Sequence, residues 1–195
     1  MEAFVANSTG NAEESRCEAA TVARAARGDA AAFGELYVAH LDAVYHHVLF
    51  RVRDPEAAAE ISQEVFVKAF RALTTLRRHE RFRAWLLRIA HNAALNYRRR
   101  EADAVVAVEV LDRQPSAEAA PEDLAGRALD LERVTAAAAG LTELQRQVIA
   151  LRFISGLTVA ETASILGRQP NAVHNLQHHA LAALRRRLAA PEGGR

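Results

Sequence analysis

Residues 157–188, LTVAETASILGRQPNAVHNLQHHALAALRRRL, predict two helices joined by a short turn. Thr158 is followed three residues later by Glu161, which is the capping-box pattern of a helix start. Gly167 stands where the ends of helices favour glycine, and Pro170 suits the first turn of the next helix. A short glycine-containing turn between two such helices is the signature of a helix-turn-helix. We therefore predict a DNA-binding motif in this half of the chain.

The second helix of this motif has one apolar stripe and one polar face. Its apolar stripe is Val173, Leu176, Ala180 and Leu184. Its polar face, which begins with amides and imidazoles and ends with arginines, carries Asn171, His174, Asn175, His178, His179, Arg185 and Arg186. Amides and imidazoles can hydrogen-bond the edges of bases, whereas guanidinium groups suit phosphates. We predict that this helix reads DNA, the alternative being an ordinary solvated face.

Two of these histidines, His174 and His178, are four residues apart and could share one metal ion. No glutamate follows His174, and no cysteine or nearby carboxylate completes a ligand set, so we predict neither a metal nor another cofactor. A metal-dependent enzyme centred on the histidines is the competing hypothesis, which a stoichiometric metal in the purified protein would support. Imidazoles also carry less positive charge near neutral pH than lysine or arginine, which weakens the attraction to phosphates.

The composition of the 195-residue chain allows one large domain or two small ones and favours an intracellular, cytoplasmic protein. The chain has a single cysteine, Cys17, so no disulfide can form within it. No apolar run approaches the roughly 20 residues that span a bilayer, so we predict no membrane insertion. Residues 1–16 are acidic and lack the apolar core of a secretory signal.

Charge is spread unevenly along the chain, whose net charge is +1. Residues 77–100 hold eight arginines against one glutamate, which favours a polyanionic partner such as DNA. Residues 102–125 hold six acidic residues against one arginine, together with Pro115 and Pro121, and we predict an acidic linker there. Within it, residues 103–111 (DAVVAVEVL) are apolar enough to form a short strand or to dock on a partner.

Helical spacing of apolar residues predicts an all-α fold of two small helical domains joined by a flexible linker. The predicted parts are a flexible tail at 1–28 with a short helix near its end, a first domain at 29–101, the linker at 102–125, a second domain at 126–190 and a tail at 191–195. The predicted helices begin after Asp29 and then cover about 55–73, 82–100, 126–139, 142–154, 158–166 and 170–188.

The helix predicted at 55–73 has two apolar stripes instead of one. Its core stripe is Ala58, Ile61, Val65, Ala69 and Ala72. A second group, pointing elsewhere on the helix, consists of Phe66, Val67 and Phe70 alongside Glu60 and Gln63. A second apolar stripe favours contact with a partner protein. The alternative is that the two phenylalanines pack under the next loop.

The helix predicted at 82–100 combines an ordinary core stripe with a basic face. The core stripe is Phe82, Leu86, Ile89, Ala93 and Tyr97, and the basic face is Arg81, Trp85, Arg88, Asn92 and Arg99. Positive charge for phosphates beside planar groups for stacking suits DNA, including strands whose bases are unstacked. The alternative is an arginine-rich surface on which Trp85 belongs to the core, and for Trp85 itself the core is favoured.

Four segments together resemble a known family. The stretches AAFGELYVAHLDAVYHHV (31–48), AAAEISQEVFVKAF (57–70) and FRAWLLRIAHNAALNYRRR (82–100) resemble region 2 of bacterial RNA polymerase sigma factors of the extracytoplasmic-function (ECF) group. The stretch LTELQRQVIALRFISGLTVAETASILGRQPNAVHNLQHHALAALRRRL (141–188) is similar to region 4 of the same family. The resemblance covers about residues 29–101 and 135–188. A stand-alone DNA-binding regulator of the LuxR type, which shares the helix-turn-helix, is the alternative.

The resemblance implies that the protein supplies promoter specificity to RNA polymerase and has no catalytic chemistry of its own. The helix at 55–73 would bind the clamp helices of the polymerase β′ subunit, with contacts to the β subunit elsewhere in core polymerase. The residues implied in core binding are Glu60, Gln63, Phe66, Val67 and Phe70. Glu60 stands where the family usually has aspartate. An anti-sigma factor as inhibitory partner is also implied.

For promoter DNA, the resemblance implies two contact regions. The loop at 74–81 and the helix after it would capture and help melt the −10 element through Arg77, Arg78, His79, Arg81, Trp85, Arg88, Asn92 and Arg99. The helix at 170–188 would read the −35 element through the polar face described above. There the sequence NAVHNLQ departs from the common family pattern, because His174 occupies a position usually held by lysine.

Overall fold

The computed structural model describes residues 16–107 and 135–189, and every regular element within these ranges is a helix. Helix α1 covers residues 16–26, followed by α2 Ala30–Val52, α3 Pro55–Ala72, α4 Phe82–Ala107, α5 Glu143–Ile149, α6 Val159–Leu166 and α7 Pro170–Ala189. Short 3-10 turns lie at Leu73–Thr75, His79–Arg81 and Ala138–Gly140, and α5 continues as one π-helical turn, Ala150–Ile154. The predicted all-α class with two helical domains is confirmed.

Helices begin where a side chain accepts hydrogen bonds from free backbone N–H groups, and α6 ends at a glycine. Asp29 accepts a hydrogen bond from the backbone N–H of Ala32, and Asp54 caps α3 in the same way. Reciprocal capping boxes form at Thr142 and at Thr158, the second as its sequence pattern predicted. Gly167 ends α6 with φ of 60°, a left-handed conformation that glycine adopts without steric cost.

The first domain packs α2, α3 and α4 around a shared core of small and branched side chains. Its fully buried members include Val44, Val48, Val65, Phe82 and Leu86. Alanines lie between them and let the helices approach closely, which is why an alanine-rich chain can still form a dense core.

Helix α1 belongs to this core as well. Val22 and Ala25 are buried in the same cluster, and Arg24 forms ion pairs with Asp29 and Glu35 on α2. The prediction of a flexible tail up to residue 28 is therefore wrong for the stretch from residue 16 onward. The short helix expected near the end of that tail buries apolar side chains and is part of the folded domain.

The second domain is a helix-turn-helix supported by α5. Val148 on α5, Ala163 on α6 and Val173 on α7 form its centre. The Nε of Arg152 donates to the Oε1 of Gln177 at 2.9 Å, which ties the π turn to α7. The motif predicted from residues 157–188 is thus built as a packed unit with its turn at Gly167.

Two predicted boundaries differ from the structure. Helix α4 continues to Ala107, so residues 103–107 are helical and not a strand, because the alanines that follow the arginines favour helix continuation. The remainder of the predicted strand, most of the linker, the start of the helix predicted at 126–139 and residues 190–195 lie outside the described residues. None of the helices in the described ranges has the length and apolarity that a membrane crossing requires.

Candidate nucleic-acid and polymerase interfaces

The polar face of α7 is open to solvent along its length. All of its predicted members, Asn171, His174, Asn175, His178, His179, Arg185 and Arg186, are exposed. The opposite side of the helix buries Val173, Ala180 and Leu184 in the second domain. The geometry is that of a helix held by one stripe and presenting the other, which a groove of DNA can accept.

Arg187 differs from the two arginines before it. Its guanidinium group lies against Gly140, where an added Cβ would clash with the Nη2 atom. The side chain therefore points back towards the 3-10 turn of its own domain. Only Arg185 and Arg186 remain at the end of the polar face, as the helical wheel predicted.

The two histidines considered as metal ligands have no further ligand set around them. Within residues 16–107 and 135–189, no group of three or more histidine, cysteine or acidic side chains is placed to hold an ion. The rings of His178 and His179 meet edge to face, with centroids 5.7 Å apart.

The basic face of α4 lies on the first domain. Arg81, Arg88, Asn92 and Arg99 are exposed, and the preceding loop exposes Arg77 and Arg78 and half-buries His79. Trp85 is half-buried, with its ring centroid 5.9 Å from that of Phe82. Trp85 is therefore partly a core residue, and its stacking on DNA bases stays a prediction.

The second domain lies across this face and forms a cleft of about 430 Å³ with it. On one wall are Trp85, Arg81 and Arg88; on the other, α6 contributes Glu161 and Ser164. The residues of α6 could not be assigned to this cleft from the sequence, because periodicity shows which side chains share a face but not which face meets another domain. We call this space the α4–α6 cleft.

The outer face of α3 presents most of the side chains predicted to bind polymerase. Glu60 and Gln63 are exposed, and Val67 and Phe70 expose 49% and 53% of their surface. The ring of Phe70 meets that of Phe33 edge-on at 4.9 Å, so it is anchored on one side only. An exposed pair of large apolar residues at this spacing favours a protein partner.

Phe66 is the exception, and its prediction as an interface residue is wrong for this fold. It is 3% exposed and lies in the core of the first domain, with its ring 4.6 Å from that of Tyr37. The buried stripe of α3 is wide enough to include both Val65 and Phe66, because α2 and α4 cover adjacent sides of the helix. The alternative, that the phenylalanines pack under the next loop, is not observed either, because Phe66 packs against α2 and Phe70 is half exposed.

A polar cluster that is buried except for Glu143 joins the two domains and was not predicted. His47 Nδ1 lies 2.8 Å from Ser155 Oγ, and Arg51 Nη2 lies 2.7 Å from Glu143 Oε1. His91 lies beside them, with its ring centroid 5.7 Å from that of His47. We call these five residues the interdomain polar cluster.

Burial controls the protonation of this cluster. It lowers the pKa of His91 to about 4, with the nearby charge of Arg51 as the second cause. Burial also holds the pKa of His47 well below its usual range, and His91 and Arg51 add to that effect. For Glu143, burial acts to raise the pKa, but the charge of Arg51 and a hydrogen bond from Gln147 help to outweigh it and leave the pKa low. Both histidines are therefore neutral in the packed protein.

Comparison with known proteins identifies both halves of the chain. Residues 36–103 match the sigma-70 region 2 family, and residues 131–184 match sigma-70 region 4. The ECF RNA polymerase sigma factor BldN of Streptomyces coelicolor is 35% identical over 170 residues, covering 86% of this chain and 64% of BldN. The ECF RNA polymerase sigma factor SigD of Mycobacterium tuberculosis is 33% identical over 177 residues, covering 88% of this chain and 84% of SigD. The chain thus spans less than two thirds of BldN but most of SigD.

Solved structures share the architecture. CnrH in complex with the cytosolic domain of CnrY aligns with a TM-score of 0.69 at 28% identity, over 90% of this chain and 99% of CnrH. RpoE of Bartonella quintana, in complex with the anti-sigma factor NepR, aligns with a TM-score of 0.65 at 19% identity, over 82% of this chain and 98% of RpoE. The second likeness shows the fold alone.

Proposed function

Because the chain belongs to the ECF group of bacterial RNA polymerase sigma factors, we propose that it binds core RNA polymerase and directs it to specific promoters. The observation that carries the proposal is the presence, in one chain and in the family order, of matches to regions 2 and 4. Each match contains a helix with an exposed polar face. Transcription takes place in the cytoplasm of bacteria, which is where the protein would act.

We infer that the first domain recognises the −10 element and helps to melt it. Trp85 offers a half-exposed indole on which an unstacked base can stack, and Arg81 and Arg88 flank it with charge for the strand's phosphates. Asn92 and Arg99 continue the same face of α4, about one and three turns after Arg88. Arg77, Arg78 and His79 supply further donors from the loop.

We infer that α7 reads the −35 element in the major groove. Its first half would place Asn171, His174 and Asn175 against base edges, where amides and imidazoles both donate and accept hydrogen bonds. Arg185 and Arg186 at its far end would contact phosphates. Because histidines stand where this face could carry lysine or arginine, it would bind DNA weakly unless polymerase holds it in place.

The outer face of α3 is the proposed contact with the clamp helices of the polymerase β′ subunit. Val67 and Phe70 provide an exposed apolar centre, and Glu60 and Gln63 border it with polar groups. This arrangement of an apolar centre with a polar rim is typical of protein interfaces. Phe66 would support the face from beneath by packing in the core.

Reconstitution with core polymerase tests the proposal. The purified protein is mixed with bacterial core RNA polymerase, and transcription is measured on a library of templates with randomised promoter positions. We expect enrichment of templates that share two motifs separated by a fixed spacer. Val67→Glu should abolish co-elution with core polymerase, whereas the control Val38→Glu, on the 77% exposed valine of α2, should not. Failure of the wild-type protein to associate with any core enzyme would overturn the proposal.

We also propose that an anti-sigma factor controls the protein. The support is that CnrH, which is 28% identical and has the same fold, is solved in complex with the cytosolic domain of CnrY. A candidate anti-sigma protein co-expressed with this chain should form a stoichiometric complex and reduce transcription by the reconstituted holoenzyme.

A further inference from the structure

Among the described residues, four arginines meet at the junction of the two domains, where Phe50 of α2 packs into the apolar core of the second domain. Arg51 and Arg53 lie at the end of α2 and Arg98 lies on α4, so these three belong to the first domain. Arg146 on α5 belongs to the second. Burial lowers the pKa of both Arg51 and Arg53. The positive charges of Arg98 and Arg146 lower it further, so all four guanidinium groups lie near one another. We call these four residues the arginine cluster.

In the part of the chain that the structure describes, a single carboxylate pairs with the arginine cluster. Glu143 Oε1 lies 2.7 Å from Arg51 Nη2, and Glu143 Oε2 lies 3.3 Å from Arg146 Nη1. No other acidic group of the described residues acts on the charge of Arg51 or Arg53. The cluster therefore has an excess of positive charge.

The cluster also contains guanidinium nitrogens without a hydrogen-bond acceptor. The Arg51 side chain is 1% exposed, and neither its Nε nor its Nη1 has a partner among the described residues. The buried Nε of Arg146 is in the same condition. Arg53 is exposed and Arg98 is half-buried, so the cluster is open to solvent beside these buried donors. Unpaired buried donors and like charges at close range both raise the free energy of the packed domains, and a ligand with several negative oxygens would lower it.

We propose that the arginine cluster binds a compact oligophosphate, the chemistry of pyrophosphate and of the phosphate chain of a nucleotide. Each planar guanidinium group can pair with two phosphate oxygens, and two linked phosphates offer enough oxygens for several arginines at once. A ligand on the side of Arg53 and Arg98 leaves the pairs of Glu143 in place. None of the four arginines is among the residues predicted to bind DNA, so the inference does not rest on the proposed promoter function.

The ligand would connect the two domains, because Arg146 lies on α5 whereas the other three arginines lie on α2 and α4 or at their ends. A ligand that binds only the packed arrangement stabilises it by mass action. The midpoint of thermal unfolding of the full chain should therefore rise with the concentration of oligophosphate.

Titration of the full chain with sodium pyrophosphate tests the site, by calorimetry and by thermal unfolding, without divalent cations and at constant ionic strength. ATP and sulfate are titrated in parallel. Arg53→Gln and Arg98→Gln each remove one charge at the solvent side of the cluster. The matched control is Arg27→Gln, because this exposed arginine precedes α2 and lies about 35 Å from Arg53 along that helix.

We expect the wild-type protein to bind one equivalent of pyrophosphate and to unfold at a higher temperature in its presence. Arg53→Gln and Arg98→Gln should each weaken binding about tenfold, since one charge-assisted hydrogen bond corresponds to at least that factor. Arg146→Gln should weaken binding as well because the ligand reaches the second domain, and Arg27→Gln should bind as the wild type does. Tighter binding of ATP than of pyrophosphate would identify the ligand as a nucleotide, and the reverse would identify it as an inorganic oligophosphate.

Absence of pyrophosphate binding to the wild-type protein would overturn the inference. A response to sulfate as strong as that to pyrophosphate, or an equal weakening in Arg27→Gln, would show a general effect of charge and reject the site. Unchanged binding in both Arg53→Gln and Arg98→Gln would also reject it, because the phosphate would then bind elsewhere. Circular dichroism of each variant separates lost binding from lost helix.

Discussion

The two domains expose their candidate functional residues in different ways. In the second domain, α7 has one buried stripe and one exposed face, and every predicted residue lies on the exposed face. In the first domain, α3 and α4 are buried on more than one side, so Phe66 lies in the core and Trp85 lies partly in it. The sequence of a helix with one apolar stripe indicates which face is exposed, whereas two stripes do not show which one packs in the core and which one is free to bind a partner.

The largest expected difference concerns the two phenylalanines of α3. Phe66→Ala should lower the free energy of unfolding by about 3–5 kcal/mol, because the ring is fully packed in the core. Phe70→Ala should cost only about 1 kcal/mol because half of the ring is already exposed. Phe70→Ala should nevertheless weaken polymerase binding more at temperatures where both variants are folded. Chemical denaturation and co-elution with core polymerase check this pair, and equal stability losses would contradict the burial of Phe66.

A second expected effect concerns acid. The folded protein holds the pKa of His91 at about 4, whereas the unfolded chain protonates this side chain near pH 6.5. The stability that depends on a neutral His91 is therefore present above pH 6.5 and is lost as the pH falls towards 4, since only the unfolded chain takes up the proton. We expect a loss of about 2 kcal/mol between pH 7 and pH 5 from this group. Denaturation at a series of pH values measures it, and His91→Asn should flatten the dependence.

A third prediction concerns α7, whose exposed face differs from the partly buried faces of α3 and α4. Substitutions on this face should affect DNA binding without affecting stability. Replacing both Arg185 and Arg186 by alanine should weaken binding to duplex −35 DNA and reduce the slope of log affinity against log salt by about 2. Arg187→Ala is the control, because its guanidinium group lies against Gly140 and not on the polar face. An equal loss of slope with Arg187→Ala would show that the three arginines are equivalent.

The smallest expected effect concerns the N-terminal cap of helix α6. Thr158→Ala removes the cap of α6, whose hydroxyl accepts from the backbone N–H of Glu161 at 3.2 Å, and should cost about 1 kcal/mol. Ser164→Ala on the exposed side of the same helix should leave stability unchanged or slightly higher, since alanine favours helix. Thermal unfolding of the two variants provides the comparison, and a Thr158→Ala variant as stable as wild type would contradict the capping box.

Local rules made most of the fold predictable. The caps at Asp29, Asp54, Thr142 and Thr158 and the end of α6 at Gly167 follow from interactions within a few residues, so the sequence alone indicates them. A signal for the interdomain contact was also present. On α4, Ala84, Leu87 and His91 form a second stripe at helical spacing beside the predicted core stripe.

The sequence by itself determined the helices, the helix-turn-helix and the polar faces, because capping and periodicity act through neighbours along one chain segment. Only the tertiary structure decided that Phe66 is buried, that Phe50 and Leu87 join the domains, and that α6 faces Trp85. These outcomes depend on contacts between residues far apart in the chain. Which of two apolar stripes is covered, and by what, is set by the packing of whole helices against one another.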